Sequence, residues 1–116
     1  MRAFGFTIRI KVVGDNGSIE HSELTYHEAL LMIGSTKKKP GRTSPRSIEG
    51  GNTQALMLFV DNVDAHCAHA RAAGAKILSE PTDVDYGQEY WADRCYEAED
   101  LEGHRWWFAQ RIRDPK

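Results

Sequence analysis

Apolar and polar side chains alternate over residues 6–13, FTIRIKVV, and several of them are β-branched, which is typical of a strand. The next four residues, GDNG at 14–17, predict a tight hairpin turn, because an Asn-Gly pair adopts positive φ readily. Residues 18–27 and 29–35 are predicted to be two further strands. The N-terminal third is therefore predicted to form a three-stranded antiparallel meander.

A polar stretch over residues 36–54 interrupts this pattern, with two prolines, three glycines and Ile48 as its only apolar residue. Its five basic residues, with no acid between the first and the last, are Lys37, Lys38, Lys39, Arg42 and Arg46. We interpret the stretch as a solvated linker. A lid that closes over an anionic ligand is the alternative. Nucleic-acid binding is less favoured, because no aromatic residue is interleaved for base stacking.

The apolar pattern resumes at residues 55–60, ALMLFV, a continuous run that predicts a buried strand covered on both faces. A helix is predicted over residues 63–73, with Asp61 or Asn62 as its N-cap and Gly74 at its C-terminal end. Small residues at positions i, i+4 and i+7 form a narrow apolar stripe on this helix: Val63, Cys67 and Ala70. Such a helix can lie close to a sheet.

Three more strands are predicted in the C-terminal third. They cover residues 75–81, ending at a proline, then 89–99 after a turn at 85–88, and finally 104–111. The second half of the chain therefore has the order strand, helix, strand, strand, strand. The first half has only three strands.

This second half resembles a module of the vicinal oxygen chelate superfamily, which includes glyoxalase I, extradiol dioxygenases and the bleomycin and fosfomycin resistance proteins. The resemblance rests on four short motifs in the right order: VDNVDA at 60–65, RAAGAKI at 71–77, YGQ at 86–88 and EDLEGHRW at 99–106. The first three predicted strands resemble the later part of a preceding module.

The resemblance implies an α+β fold in which paired βαβββ modules form a curled mixed sheet around a cavity. The first module is incomplete, because its first strand and helix have no counterpart. The implied organisation is a single domain over residues 1–116. It contains a partial first module (1–35), the basic loop (36–54) and a second module (55–116).

The metal-binding members of the superfamily place ligands on the first and last strands of each module. By resemblance, two of these positions fall at Ala55 and Trp107, and residues 29–35 contain no Glu, His or Asp. A divalent ion needs about three protein donors, so we expect no metal and no other cofactor. A divalent metal held by His21 and Glu23, which share a strand face, is the weaker alternative.

Strand alternation divides the aromatic side chains between the helix and the cavity. If Trp107 occupies the ligand position, it faces the cavity together with Arg105, while Trp106 and Phe108 pack under the helix. The candidate ligand-binding residues are Met57, Phe59, Tyr90, Trp91, Arg105 and Trp107. They suit a flat or aromatic organic ligand held by stacking, and Arg105 suits an anionic group on it.

Three histidines are given structural rather than chemical roles. His66 and His69 flank Cys67 at a spacing that suits zinc, but the resemblance places this helix outside the sheet, so we expect both to be solvent-exposed. His104 follows the turn glycine Gly103 and is expected to order that turn by hydrogen bonding.

Composition is that of an ordinary globular protein: 116 residues, 41% hydrophobic, 28% charged and a net charge of −2. This charge favours neither nucleic acid nor a membrane as a partner. No apolar segment is long enough to span a membrane. Cys67 and Cys95 form no CxxC pair, so we expect reduced thiols in a cytoplasmic protein.

Two functions are consistent with these features. The favoured one is a small-molecule binder without catalysis, like the antibiotic-sequestering branch of the superfamily. The alternative is an enzyme, namely a metal-dependent lyase, isomerase or dioxygenase. An incomplete module exposes a sheet edge and an apolar face, so we expect a homodimer in which a second copy covers them. Truncation of the sequence is the alternative explanation for the missing strand and helix.

Overall fold

The structure of this chain is a computed structural model that describes residues 2–35, 43–48 and 51–116. The N-terminal part forms a three-stranded antiparallel sheet with the order β1-β2-β3. Its strands are β1 (Thr7–Val13), β2 (Ile19–Tyr26) and β3 (Ala29–Gly34). The predicted meander is therefore confirmed, and Gly17 has the expected positive φ, of 82°.

The second sheet has four strands in the order β4-β7-β6-β5. They are β4 (Ala55–Phe59), β5 (Lys76–Asp85), β6 (Ala92–Glu99) and β7 (Arg105–Arg113). Strand β4 runs parallel to β7, and the other pairs are antiparallel. Helix α1 (Val63–Ala72) connects β4 to β5, which completes the βαβββ order and confirms the α+β class. Short 3-10 turns cover Arg2–Phe4 and Pro45–Ser47.

Helix α1 begins and ends as its sequence indicates. The Asn62 side chain accepts a hydrogen bond from the Ala65 N–H at 3.0 Å, which caps the helix. Gly74 follows the helix with a φ of 94°. The predicted stripe of Val63, Cys67 and Ala70 is buried against the sheet. Burial raises the pKa of the free Cys67 thiol. Among the described residues, no helix is long and apolar enough to cross a membrane.

Two strand predictions need correction. Strand β4 is not covered on both faces, since Leu56, Met57 and Phe59 are exposed. Within the described residues β4 pairs only with β7, so its outer flank lies at the edge of the sheet. Strand β5 does not end at Pro81 but continues to Asp85. A proline is tolerated there because β5 is the opposite edge strand and its register with β6 shifts between residues 79 and 82.

The segment before β1 joins the two sheets. The Phe4 ring lies 5.5 Å from Trp106 and 4.9 Å from Phe108, measured between centroids. The Phe6 ring lies 5.7 Å from Trp106 and 5.4 Å from Tyr26 on β2. Both phenylalanines are buried in the same core as helix α1. The two sheets therefore share one hydrophobic core, with the N-terminal segment between them.

His66 is not solvent-exposed, contrary to the sequence-based expectation. Its Nε2 lies 2.9 Å from the Phe4 carbonyl oxygen and its Nδ1 lies 2.6 Å from the Tyr96 hydroxyl. A carbonyl only accepts, so Nε2 carries the proton and Nδ1 accepts from Tyr96 in the neutral ring. His66 therefore anchors the N-terminal segment to the helix. Burial is the main cause that lowers its pKa, with the charge of His69 adding to it and the Phe4 carbonyl opposing it.

The buried imidazole predicts that acid destabilises the fold. Because the pKa of His66 is lowered on folding, the unfolded chain binds more protons between the two pKa values, and stability rises with pH in that window. The contribution is complete above about pH 6.5 and declines as the pH falls below it. Urea unfolding at pH 7.5 and 5.0 measures this. The decrease in the free energy of unfolding between pH 7.5 and 5.0 should be smaller in His66→Gln than in the native protein and should persist in His69→Gln. Equal decreases in both variants would contradict the assignment of this effect to His66.

Candidate functional site

Two adjacent tryptophans on β7 face opposite sides of the second sheet. Trp106 is 3% exposed and packs with Phe108 in the core beneath α1. Trp107 is half-buried and points to the face without a helix, which we call the open face. Directly across from Trp107 lie Met57 on β4 and Glu97 on β6, so the three side chains share that face.

The first group of side chains on the open face surrounds Trp107. Met57 is 53% exposed beside it. The Glu97 carboxylate is recessed on the other side, and the guanidinium of Arg105 reaches it at 3.6 Å. The structure thus brings three of the candidate residues, Met57, Arg105 and Trp107, next to one another and adds Glu97. The group offers an indole, a thioether and one loosely paired carboxylate as contacts for a ligand.

The second group is centred on Arg111, four residues along β7 and about 13 Å from Trp107. The Arg111 guanidinium lies 5.0 Å from the centre of the Phe59 ring and 5.8 Å from that of Trp91. Sequence reasoning assigned Phe59 and Trp91 but missed Arg111. The signal was available, because residues 107, 109 and 111 share one face of a strand.

A buried carboxylate fixes the position of Arg111. The Arg111 Nε donates a hydrogen bond to Asp93 Oδ1 over 2.6 Å, and Asp93 is 1% exposed. Asp93 Oδ2 is also buried, and no group in the described part of the chain hydrogen-bonds to it. The Arg111 side chain is therefore held between two aromatic rings above a carboxylate that depends on it for compensation.

The aromatic turn between β5 and β6 positions Trp91. Arg113 donates to both Asp85 oxygens, over 2.8 and 3.1 Å, and to the Gly87 carbonyl over 2.7 Å. Hydrogen bonds from Arg113, and then from the Gly87 N–H, lower the pKa of Asp85 to about 2. Trp91 packs edge-to-face with Tyr90, at 6.1 Å between centroids, and Tyr90 is exposed. Tyr90 therefore lies beside Trp91 and not in the group around Trp107.

The turn between β6 and β7 is organised by one carboxylate. Asp100 accepts hydrogen bonds from the backbone N–H groups of Glu102 and His104, from His104 Nδ1 at 3.1 Å and from Trp106 Nε1 at 2.9 Å. This confirms that His104 orders the turn. The same carboxylate also satisfies the one polar atom of the buried Trp106 side chain.

The basic loop makes a close contact with that turn. The Arg46 N–H donates to the Glu102 carbonyl over 2.8 Å, and the Asn52 side chain donates to the Gly103 carbonyl over 2.9 Å. A Cβ on Gly103 would lie 2.8 Å from the Arg46 nitrogen, and its φ is 90°, so only glycine fits. The Arg46 guanidinium donates to the Leu101 carbonyl. The other four basic residues of the loop, at 37–39 and 42, lie outside the described residues.

The residues present do not fit the superfamily metal. Ala55 and Trp107, which the resemblance places at two of the ligand positions, have no side-chain donor atom for it. His21 Nε2 lies 3.3 Å from Glu23, but Arg9 also pairs with that carboxylate, which disfavours a second cation there. No group of three or more His, Cys, Asp or Glu side chains that could hold a metal occurs within the described residues.

Several solved structures have a fold similar to that of nearly the whole chain. TioX from Micromonospora sp. ML1 is 29% identical, with a TM-score of 0.69 over 96% of this chain and 83% of that one. UcmS2 is 17% identical, with a TM-score of 0.65 over 95% and 81% of the two chains. A glyoxalase/bleomycin resistance protein/dioxygenase from Alicyclobacillus acidocaldarius is 9% identical, with a TM-score of 0.65 over 97% and 77%.

Sequence comparison assigns the family. No curated protein matches the chain significantly in sequence. The family profile described as Glyoxalase/Bleomycin resistance protein/Dioxygenase superfamily matches residues 1–108. These residues include strands β1 to β6, the helix and the first part of β7, with both tryptophans of the 106–107 pair. The chain therefore belongs to the glyoxalase/bleomycin resistance protein/dioxygenase superfamily.

Proposed function

We propose that this protein binds a flat or aromatic small organic molecule on the open face, without a metal and without catalysis. The observation that supports this most is the indole face that Trp107 presents beside Met57. The resemblance to the superfamily implies a metal-ligand position at Trp107. Indole and thioether groups favour stacking and dispersion contacts with a planar ligand. Sequestration of such a molecule, as by the antibiotic resistance branch, requires only binding. Stoichiometric divalent metal in the purified protein would contradict the proposal.

Removing the Trp107 indole tests this function directly. Trp107→Ala should weaken binding of a neutral planar probe, 9-anthracenemethanol, by about tenfold or more, because the stacking surface is lost. Trp107→Phe keeps an aromatic face and should stay within about threefold of the native affinity. Fluorescence titration gives both values. Equal affinities of the native protein and Trp107→Ala would refute the assignment, as would a failure of the native protein to bind.

The proposed working form is a homodimer that acts in the cytoplasm. One face of the first sheet carries exposed apolar side chains, namely Ile10, Val12, Leu30 and Met32. The radius of gyration is 16.0 Å, against about 13 Å for a compact chain of this length. Such an open shape with bare apolar surface favours association with a second copy. In the dimer, this face of one protomer would cover the open face of the other and form a cleft for the ligand.

Light scattering at micromolar concentration tests the dimer. We expect a mass near twice 13.1 kDa. Met32→Lys places a charge on a side chain that is 60% exposed, so it should shift the protein towards monomer. Lys11→Glu, which changes an exposed charge on strand β1 of the same sheet, serves as the control and should leave the mass unchanged. A monodisperse native monomer would contradict the proposal.

A further inference from the structure

The carboxylate of Glu97, beside Trp107, has no close hydrogen-bond partner among the described residues. Its contact within the described residues is Arg105 Nη1 at 3.6 Å, which is too long for a hydrogen bond. Two other carboxylates, one on this sheet and one on its helix, accept hydrogen bonds from arginine side chains. Arg111 donates to Asp93 over 2.6 Å, and Arg94 donates to Asp64 over 3.1 Å. Glu97 therefore retains acceptor capacity directly across the strands from the stacking surface.

The two members of the Glu97–Arg105 pair differ in their access to water. The Arg105 side chain is 50% exposed, whereas the Glu97 side chain is 12% exposed. A long exposed arginine can swing into solvent at little cost, because exposed ion pairs contribute little. A recessed carboxylate stays in place and loses free energy if no positive group or donor compensates it. Arg105 is thus the exchangeable partner, and Glu97 is the permanent feature of the face.

We propose that Glu97 binds a positively charged or N–H-donating group of the ligand, which replaces the Arg105 guanidinium. This rests on the proposed function, in which Trp107 stacks on the planar part of the same molecule. The ligand class is then a planar aromatic amine or protonated heteroaromatic ring. An anionic planar ligand is disfavoured, because it would have to take Arg105 away from Glu97 and would leave two negative groups side by side.

Two three-ring probes of opposite charge test this preference. The native protein should bind 9-aminoacridine, which is cationic at neutral pH, at least about tenfold more tightly than anthracene-9-carboxylate. Glu97→Gln should weaken binding of the cation by about ten- to hundredfold, the value of a hydrogen bond to a charged group. The affinity for the uncharged 9-anthracenemethanol should change much less, by about threefold or less, because no charged hydrogen bond is lost. Fluorescence titrations at fixed salt give these affinities.

Glu99→Gln is the matched control, because Glu99 lies two residues further on the same strand and face and is paired with Lys76 at 3.3 Å. It should change the affinity for the cation by about threefold or less. Equal or tighter binding of the anion, or an unchanged affinity of Glu97→Gln for the cation, would overturn the assignment of Glu97. Retained Trp107-dependent binding of 9-anthracenemethanol would then leave the proposed function standing. Binding of none of the three probes would count against both.

Discussion

Trp106→Ala is expected to lower the free energy of unfolding by about 3–5 kcal/mol, the range for truncating a large buried aromatic side chain. Trp106 is 3% exposed, and its ring stacks on Phe108 at 5.9 Å with an interplanar angle of 4°. It also contacts Phe4 and Phe6, so the change opens a cavity where the two sheets meet. The Asp100 carboxylate loses the indole N–H donor as well.

The neighbouring residue provides the matched control for this experiment. Trp107→Ala removes the same side chain one position later, from a half-buried site on the open face. Its free energy of unfolding should change by about 1 kcal/mol or less. Urea denaturation followed by circular dichroism measures both variants. A loss of similar size in the two would show that Trp107 is part of the core and is not presented to a ligand.

Local sequence patterns predicted most of the fold correctly. The alternating strands, the Asn-Gly turn and the capped helix depend on neighbouring residues, so each is encoded within a short window. Strand alternation placed Trp106 and Trp107 on opposite faces of β7, and the resemblance to the superfamily indicated which of them lies under the helix. Motif order added the family and its βαβββ order, which the profile match supports.

Contacts between distant segments were not predictable in the same way. The environment of His66 depends on Phe4 and Tyr96, at sequence separations of 62 and 30 residues. Nothing near His66 in the sequence indicates that the N-terminal segment covers it. The exposure of β4 likewise depends on its place at the sheet edge, whereas its apolar run favours a central strand. Burial of a segment is a property of its neighbours in space.

Strand alternation predicted which side chains of the candidate site share a face with Trp107. It did not predict the role of Arg111, a charged residue that is held in place by a buried ion pair. Alternation from Trp107 leads to Arg111, but an arginine near the end of a strand is usually solvated. Its partner Asp93 is 1% exposed, although aspartate is rarely buried unless it is paired, and its partner Arg111 lies 18 residues away in the sequence. The aromatic rings of Phe59 and Trp91 complete the surroundings of Arg111 from two other parts of the chain.

Arg111→Met is expected to destabilise the protein by about 3–5 kcal/mol, because it leaves the buried Asp93 charge without compensation. Methionine keeps most of the side-chain length against the rings, so the loss reflects the charge more than the packing. Urea denaturation at neutral pH measures it. The exposed pair of Arg113 with Asp85 is the control, and Arg113→Met should cost much less because water solvates both groups.

Removing both charges of the buried pair separates its two contributions. Asp93→Leu combined with Arg111→Met leaves no buried charge and also removes the unbonded Asp93 Oδ2. The double variant should recover most of the stability that the single variant loses, since apolar replacements of a buried ion pair are often neutral. If the double variant is as unstable as Arg111→Met, the guanidinium contributes chiefly through its packing between Phe59 and Trp91, and the buried charge of Asp93 is not the cause of the loss.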